Sequence, residues 1–379
     1  MLFSPVPFAR ALSDWFTAAQ RDLPWRRADI IDNPYRILVS EVMLQQTTVA
    51  AVAPFFERFI ARFPDVQSLA EADEADVLAQ WAGLGYYARA RNLQKAARAV
   101  IEQHDGEFPR DFAAILALPG VGRYTAGAVA SIAFGTRAPI VDANVARVLS
   151  RVLPVEGDLK KSAAQAQLWD AATQIVEVPT VKPREINPAL MELGALVCTP
   201  KNPKCPECPV AQFCVARAQN RQNQLPIKTP KRAPTPLFDV CALARNERGE
   251  VLLRRRPDQA GVWWRGMWEL PRTTRAEGEN AGAALARLGL ELDARWQSVA
   301  RFATLKHGVT RYIIELQCWR VDVESAALNE DLRWFAIADA LELALPSTMK
   351  TLLKQVERQR DEAPATQLEL WAEEVEQLP

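Results

Sequence analysis

Apolar residues recur at three-to-four spacing in RILVSEVMLQQTTVAAVAPFFERFI (36–60), VLAQWAGL (77–84), YYARARNLQKAARAVIEQH (86–104) and YTAGAVASIAF (124–134). That period predicts amphipathic helices and an all-helical first domain. Past residue 236 the pattern changes: FDVCALARNERGEVLLRRR (238–256) reads as a hairpin of two short strands around Asn246 to Gly249, and TRYIIELQCWRVDV (310–323) reads as another strand. The second domain is expected to be α+β. Between them QNRQNQLPIKTPKRAPTP (219–236) holds four prolines and no apolar period, the signature of a surface linker. The boundaries expected are therefore a helical domain over 1–218, a linker over 219–236, a second domain over 237–355 and a tail over 356–379.

Composition sharpens this only slightly. A chain of 379 residues exceeds what one core ordinarily supports, in keeping with two domains. Lys plus Arg equals Asp plus Glu at 46 each, but residues 1–236 carry 27 basic against 23 acidic side chains and 237–379 carry 19 against 23, so the halves stand at +4 and −4. Four charges do not establish nucleic-acid binding, yet they allow local basic patches. No apolar run approaches a membrane span, and MLFSPVPFARALSDW has no basic region ahead of an apolar core. A cytoplasmic protein is expected, monomeric and without membrane contact.

Four of six cysteines, Cys198, Cys205, Cys208 and Cys214, fall in seventeen residues as C-x6-C-x2-C-x5-C. Thiolates this dense on a proline-rich loop can converge on one metal centre, zinc or an iron–sulfur cluster, and spacing does not separate the two. Two disulfides are a third reading, which a reducing compartment disfavours. Cys241 and Cys318 lie in strand-like runs and read as small core residues. In LPGVGRYTA (118–126), Gly120 and Gly122 flank Val121 between apolar runs. Glycine in such a turn supplies positive φ or clears room for something approaching the backbone, and alone it equally suits a tight helix–helix connection.

The cysteine spacing is that of the iron–sulfur loop of endonuclease III-type DNA repair glycosylases, and LPGVG is similar to their helix-hairpin-helix turn. RDLPWR, SEVMLQQT, GLGYYARARNL, LPGVGRYTA, VDANVARV and ALMELGALVCTP, in that order through most of residues 10–220, resemble the MutY-type adenine-DNA glycosylases of that superfamily. The resemblance implies a helical glycosylase domain with its hairpin at about 116–134 and a 4Fe-4S cluster on the loop 198–214. It implies a DNA-repair hydrolase of N-glycosyl bonds. Its substrate would be double-stranded DNA with adenine opposite 8-oxoguanine or guanine, repaired by base excision. Gly120, Val121 and Gly122 would then offer backbone N–H groups to a phosphate.

Removing adenine requires a proton delivered to the purine and negative charge near a sugar that becomes oxocarbenium-like, a task suited to two carboxylates in different surroundings. Glu41, among the apolar neighbours of LVSEVMLQ, matches the family's acid; Asp142, at the start of NVARVLSRVL, combines a helix N-cap with a charge facing the cation. Relatives that also cut the backbone carry a lysine nucleophile where this chain has Tyr124. A phenol forms no Schiff base, so excision should leave an abasic site. In the family a tyrosine here, and the asparagine matching Asn144, support the aspartate. A paired base must also be flipped out of the stack. The resemblance assigns Arg21, Trp25 and Glu192 to the adenine pocket, Gln46 and Tyr86 to filling or wedging the stack, and Thr47 and Leu84 to contacts around oxoguanine. Lys201 and Lys204 are candidates for phosphate contacts.

GMWELP (266–271) resembles the opening of a Nudix hydrolase domain, but RTTRAEGENAGAALARLGL follows where a glutamate-rich metal helix should stand. The resemblance implies a lesion-recognition module without nucleotide hydrolysis. The family's Phe-Ser-His is replaced by Leu305, Lys306 and His307, so Leu305 and His307 are the expected oxoguanine readers and the serine contact is lost. In the tail, QLELW (Gln367 to Trp371) resembles peptides that dock on the replication sliding clamp, and equally suits an amphipathic terminal helix. Two other functions stay open: an endonuclease III-like glycosylase and lyase for oxidised pyrimidines, and a noncatalytic DNA-binding iron–sulfur protein.

Overall fold

The computed structural model describes residues 3–227, 233–259 and 261–361. In chain order the helices are α1 (Pro5–Ala19), α2 (Pro34–Leu44), α3 (Val49–Arg62), α4 (Val66–Glu71), α5 (Glu74–Trp81), α6 (Ala88–His104), α7 (Phe112–Ala117), α8 (Arg123–Ala128), α9 (Ala143–Val152), α10 (Ser162–Val176), α11 (Pro183–Leu196) and α12 (Val215–Ala218). Strands β1 (Thr235–Ala244), β2 (Val251–Arg255), β3 (Trp268–Glu269) and β4 (Arg272–Thr274) follow, then α13 (Ala281–Glu291), β5 (Ala294–Val309), β6 (Tyr312–Ala326), β7 (Leu332–Phe335), α14 (Ile337–Glu342) and α15 (Ser347–Asp361). None of the described helices is long and apolar enough to cross a membrane.

The chain forms two compact units, Met1–Ala72 with Ala88–Lys231 and Asp73–Tyr87 with Arg232–Pro379. The first unit is thus interrupted: α5 and the turn after it group with the second, where the Tyr87 hydroxyl donates to the Leu345 carbonyl at 3.1 Å. Helical periodicity reports that α5 has an apolar face, not which element covers it.

In the first unit the pattern over 36–60 breaks into two helices. Asn33 caps α2, accepting from the Arg36 N–H at 3.1 Å, with Pro34 as its first residue. At the other end the Arg89 guanidinium donates to the carbonyls of Val42, Met43 and Gln45 at 2.7, 3.0 and 2.6 Å. That arrangement satisfies carbonyls that a helix end leaves without partners. Gln46 then takes φ of +59°, and Thr48 caps α3. Helices α1, α9, α10 and α11 enclose a core of Phe8, Leu12, Leu149, Leu168 and Leu190.

The second unit holds a four-stranded sheet in the order β4-β1-β6-β5 and a three-stranded sheet in the order β3-β2-β7. The expected hairpin of β1 and β2 is corrected here. The turn at Asn246 to Gly249 is present, with the Gly249 N–H donating to the Asn246 carbonyl at 2.8 Å, but beyond an Arg245–Val251 bridge the strands part into different sheets. Strand β1 runs parallel to β6 and antiparallel to β4, while β2 lies between β3 and β7. Alternation identifies strands; their partners are chosen by which faces they bury, Val240 and Ala242 to one side and Cys241 and Leu243 to the other.

Candidate active site and cluster loop

Helix α2 carries Glu41 into the interior of the first unit, where it is 4% exposed. Tyr124, in the first turn of α8, donates its hydroxyl hydrogen to Glu41 Oε2 at 2.5 Å, and the Tyr124 hydroxyl oxygen stands 3.3 Å from Met191 Sδ on α11. Burial pushes the Glu41 carboxyl up to about 7; the Tyr124 bond opposes it, the charge of Asp142 adds to it, and Arg26 opposes it. Burial and the two carboxylates hold the Tyr124 phenol well above its ordinary range, so it stays protonated.

Asp142 is the N-cap of α9, accepting from the Val145 N–H at 2.7 Å and from Asn144 Nδ2 at 3.0 Å. Burial raises its carboxyl above the ordinary range, while those two bonds and the Arg147 charge pull it back. Asn144 is itself held, its Oδ1 accepting from Arg147 Nη2 at 2.7 Å. Arg147 also donates to the Gly194 and Cys198 carbonyls, each at 2.7 Å. One turn further, Arg151 donates to the Thr199 carbonyl at 2.8 Å and lies 3.2 Å from Cys198 Sγ. Gly194 permits this packing, since a Cβ there would fall 2.6 Å from Asn144 Cβ. These two arginines escaped the sequence reading, although their i, i+4 spacing on one face of α9 was a signal for a shared partner.

Cys198, Cys205, Cys208 and Cys214 are free thiols of intermediate burial. Burial pushes the Cys208 thiol up to about 12, and its three neighbours push the same way. Four thiols that feel one another's charge form one donor set. On one short loop, such a set suits zinc or an iron–sulfur cluster. Lys201 and Lys204 are exposed on this loop, Lys204 beside Glu207 at 3.9 Å.

Glu192, buried on α11, accepts from Arg21 Nε and Nη2 at 2.7 and 2.8 Å, and from Arg26 Nη2 at 3.0 Å. Burial works against its charge, yet the bonds from Arg21 and Arg26 hold the carboxyl down at about 2. Arg26 is a second residue missed from the sequence. Trp25 is buried edge-on against Phe56, ring centroids 5.6 Å apart, so its first role is packing.

The two hairpin glycines differ. Gly120 has φ of +74° and a Cβ there would meet Asn92 Cβ at 2.5 Å, whereas Gly122 has an ordinary φ of −94° and open space where its Cβ would stand. Among the described residues nothing demands glycine at 122. Gln46 and Tyr86 are both exposed with left-handed backbones, φ +59° and +51°, strain of the kind that gathers at functional sites. Thr47 Oγ1 accepts from Arg89 Nη2 at 3.5 Å, and Leu84 is buried.

In the second unit Leu305 is partly buried against the cluster of Leu316, Cys318 and Met349. Exposed Lys306 pairs with Glu315 at 3.2 Å. His307 is half-buried beside Trp264, and burial, then the charge of Arg272, pushes its imidazole below the ordinary value. Helix α13, which occupies the place of the glutamate-rich helix, carries Glu291 as its one carboxylate, paired with Arg287 at 2.8 Å.

Residues 39–174 match the HhH-GPD superfamily of base excision DNA repair proteins, 198–214 the iron-sulfur binding domain of endonuclease III, and 240–355 the NUDIX domain. The chain is 45% identical to the human adenine DNA glycosylase over 62% of this chain and 44% of that protein. It is 34% identical to the adenine DNA glycosylase of Buchnera aphidicola subsp. Baizongia pistaciae over 68% of this chain and 71% of that one. The chain thus spans about half the length of the mammalian relatives it matches. Among solved structures, a thermostable thymine-DNA glycosylase superposes with a TM-score of 0.50 at 31% identity, covering 56% of this chain and 95% of that one. The fold is thus a helix-hairpin-helix glycosylase domain with an iron–sulfur loop over 198–214 that carries a 4Fe-4S cluster, followed by a Nudix-like α+β domain.

Proposed function

The chain belongs to the adenine DNA glycosylase family, and from that premise we propose that it excises adenine opposite 8-oxoguanine or guanine in duplex DNA and leaves an abasic site. The observation that carries this reading is Glu41, a buried carboxyl raised to about 7 and addressed by Tyr124. At neutral pH such a group is both a usable acid and partly protonated.

The Glu41 proton passes to a ring nitrogen of the flipped adenine while the N-glycosidic bond breaks and its electron pair leaves with the base. Asp142, fixed by Val145 and Asn144, places a carboxylate near the cationic sugar, and water then adds to the sugar carbon, its proton passing to a carboxylate. Tyr124 offers no amine, so the reaction ends with base release. Arg21 and Glu192 border the adenine pocket, with Trp25 as its packed wall. The hairpin turn through Gly120, Val121 and Gly122 and the exposed lysines Lys201 and Lys204 meet phosphates. Gln46 and Tyr86 enter the stack, and Thr47, Leu84, Leu305 and His307 lie on the oxoguanine side. Cys198, Cys205, Cys208 and Cys214 would hold the 4Fe-4S cluster, which cross-links the loop at the C-terminal end of α11. The protein acts as a cytoplasmic monomer at the nucleoid. Gln367 to Trp371, outside the described residues, docks on the sliding clamp and brings the enzyme to newly made DNA.

The test is incubation with duplexes carrying A:oxoguanine, A:G or thymine glycol, with and without alkali. Alkali-dependent cleavage at adenine supports the proposal. Cleavage at thymine glycol, or at adenine without alkali, overturns it.

A further inference from the structure

Arg123 stands at the surface of the first unit, directly after Gly122 in the hairpin turn. Its guanidinium carbon lies 3.8 Å from the centre of the Trp169 ring, on α10. The ring is itself held. Trp169 Nε1 donates to Gln165 Oε1 one turn earlier at 3.2 Å, and Gln165 Nε2 donates to the Leu159 carbonyl at 2.6 Å. The neighbouring Leu168 is fully buried in the core and anchors that turn of the helix. A loop carbonyl, an amide and an indole thus set, in series, where one exposed cation sits.

Packing explains a flat cation on an aromatic ring, a contact that arginine makes readily. It does not explain why the charge is left without a counter-charge. Arginines elsewhere at or near the surface of this unit lean on acids, Arg27 on Glu57, Arg184 on Asp32 and Arg221 on Glu156. Among the described residues no carboxylate pairs with Arg123, and Asp170, next to Trp169, is taken by Gln174 Nε2 at 2.7 Å. Stacking uses the face of a guanidinium and leaves its N–H edge available to an anion.

The turn beside it supplies the anion's position. Gly122 has open space where a side chain would stand, and a strand of duplex carries a phosphate for about every 3.4 Å of its axis. A strand seated at the turn therefore brings a neighbouring phosphate within the length of one arginine. We propose that Arg123 is a second phosphate clamp, held ready by Trp169, which takes the backbone phosphate next to the one at the turn. Trp169 itself touches no DNA. It is a positioning residue, removing in advance the rotamer freedom that a long side chain gives up on binding. The inference rests on the reading that the first unit grips duplex DNA, and it is independent of Glu41 and Asp142.

The test is titration of a fluorescent duplex without mispairs by the full chain, loaded with its cluster, between about 50 and 200 mM salt. Arg123→Gln should weaken binding about tenfold at the low end and flatten the log–log salt dependence by about 0.9, one phosphate's share. Arg123→Lys and Trp169→Leu keep the charge but not the stack, so each should keep the parental slope and weaken binding about two- to tenfold. Trp169→Phe, which restores a ring, should recover most of that loss and serves should Trp169→Leu unfold. Combined with Arg123→Gln, Trp169→Leu should cost nothing more. Arg123 is exposed, so its variants should melt with the parent. A parental slope in Arg123→Gln overturns the proposal, as does a further loss from Trp169→Leu once the arginine is gone. A parent chain that binds no duplex would overturn the reading that this unit grips DNA, and the clamp with it.

Discussion

The Tyr124 hydroxyl donates to Glu41 Oε2 at 2.5 Å, and this one bond opposes the burial that raises the carboxyl to about 7. Without it burial acts unopposed by the phenol. In Tyr124→Phe the Glu41 carboxyl should therefore hold its proton to higher pH, and single-turnover excision should persist further into the alkaline range than in the parent. An alkaline limb that does not move would show that Tyr124 has no part in tuning the acid.

In the parent itself, excision should decline as pH rises through about 7, the point at which Glu41 gives up its proton. The slope should approach tenfold per pH unit for a single required proton. Glu41→Gln, with no proton to give, should lose roughly 100- to 10,000-fold in excision while binding DNA as before. Excision at the parental rate in this variant would remove Glu41 from the mechanism.

The same shift has a cost in stability. Burial raises the Glu41 carboxyl from 4.5 in a free chain to about 7 in the fold, so the folded protein binds the proton more tightly than the unfolded one. Stability from this group is full below about 4.5, declines as pH rises between the two values, and is lost above about 7. The difference amounts to roughly 3 kcal/mol. Glu41→Gln should consequently melt higher than the parent at pH 8 and no higher at pH 4, and equal differences at both would contradict the assignment.

The three glycines should separate folding from DNA contact. Gly194→Ala drives a Cβ into Asn144 and Gly120→Ala drives one into Asn92, so each should destabilise by about 1–3 kcal/mol. Gly194→Ala should also slow excision by displacing the partner of Asp142. Gly122→Ala meets open space at an ordinary φ and should melt like the parent, yet bind duplex more weakly if a phosphate occupies that space. Undiminished duplex affinity would place the phosphate elsewhere.

A peptide spanning residues 362–379 should bind the host's sliding clamp, and the Leu368→Ala, Trp371→Ala pair should abolish it. Equal binding by both peptides would leave the tail without that partner.

Features fixed by local sequence were legible: the cysteine loop, a glutamate among apolar neighbours in SEVMLQQT that is buried in the fold, and the aspartate that caps α9. What escaped were long side chains that act across the fold. Nothing local to Arg26 or Arg89 marks their partners, Glu192 and the end of α2, which come from elsewhere in the fold. Arg147 and Arg151 needed α11 and the loop brought against α9. The β1–β2 hairpin failed for a related reason. A turn between two alternating runs is local information, while the sheet each run enters is decided by distant strands.

Because Asp73–Tyr87 is folded into the second unit, the proline-rich segment is not a clean seam for recombination. A chimera that grafts a relative's C-terminal half after residue 231 would take residues 73–87 from one parent and the rest of their compact unit from the other, and Tyr87 would seek the carbonyl of Leu345 in a foreign loop. Domain exchanges should succeed only when the short insert of residues 73–87 travels with its partner, so that two segments distant in sequence are inherited as one.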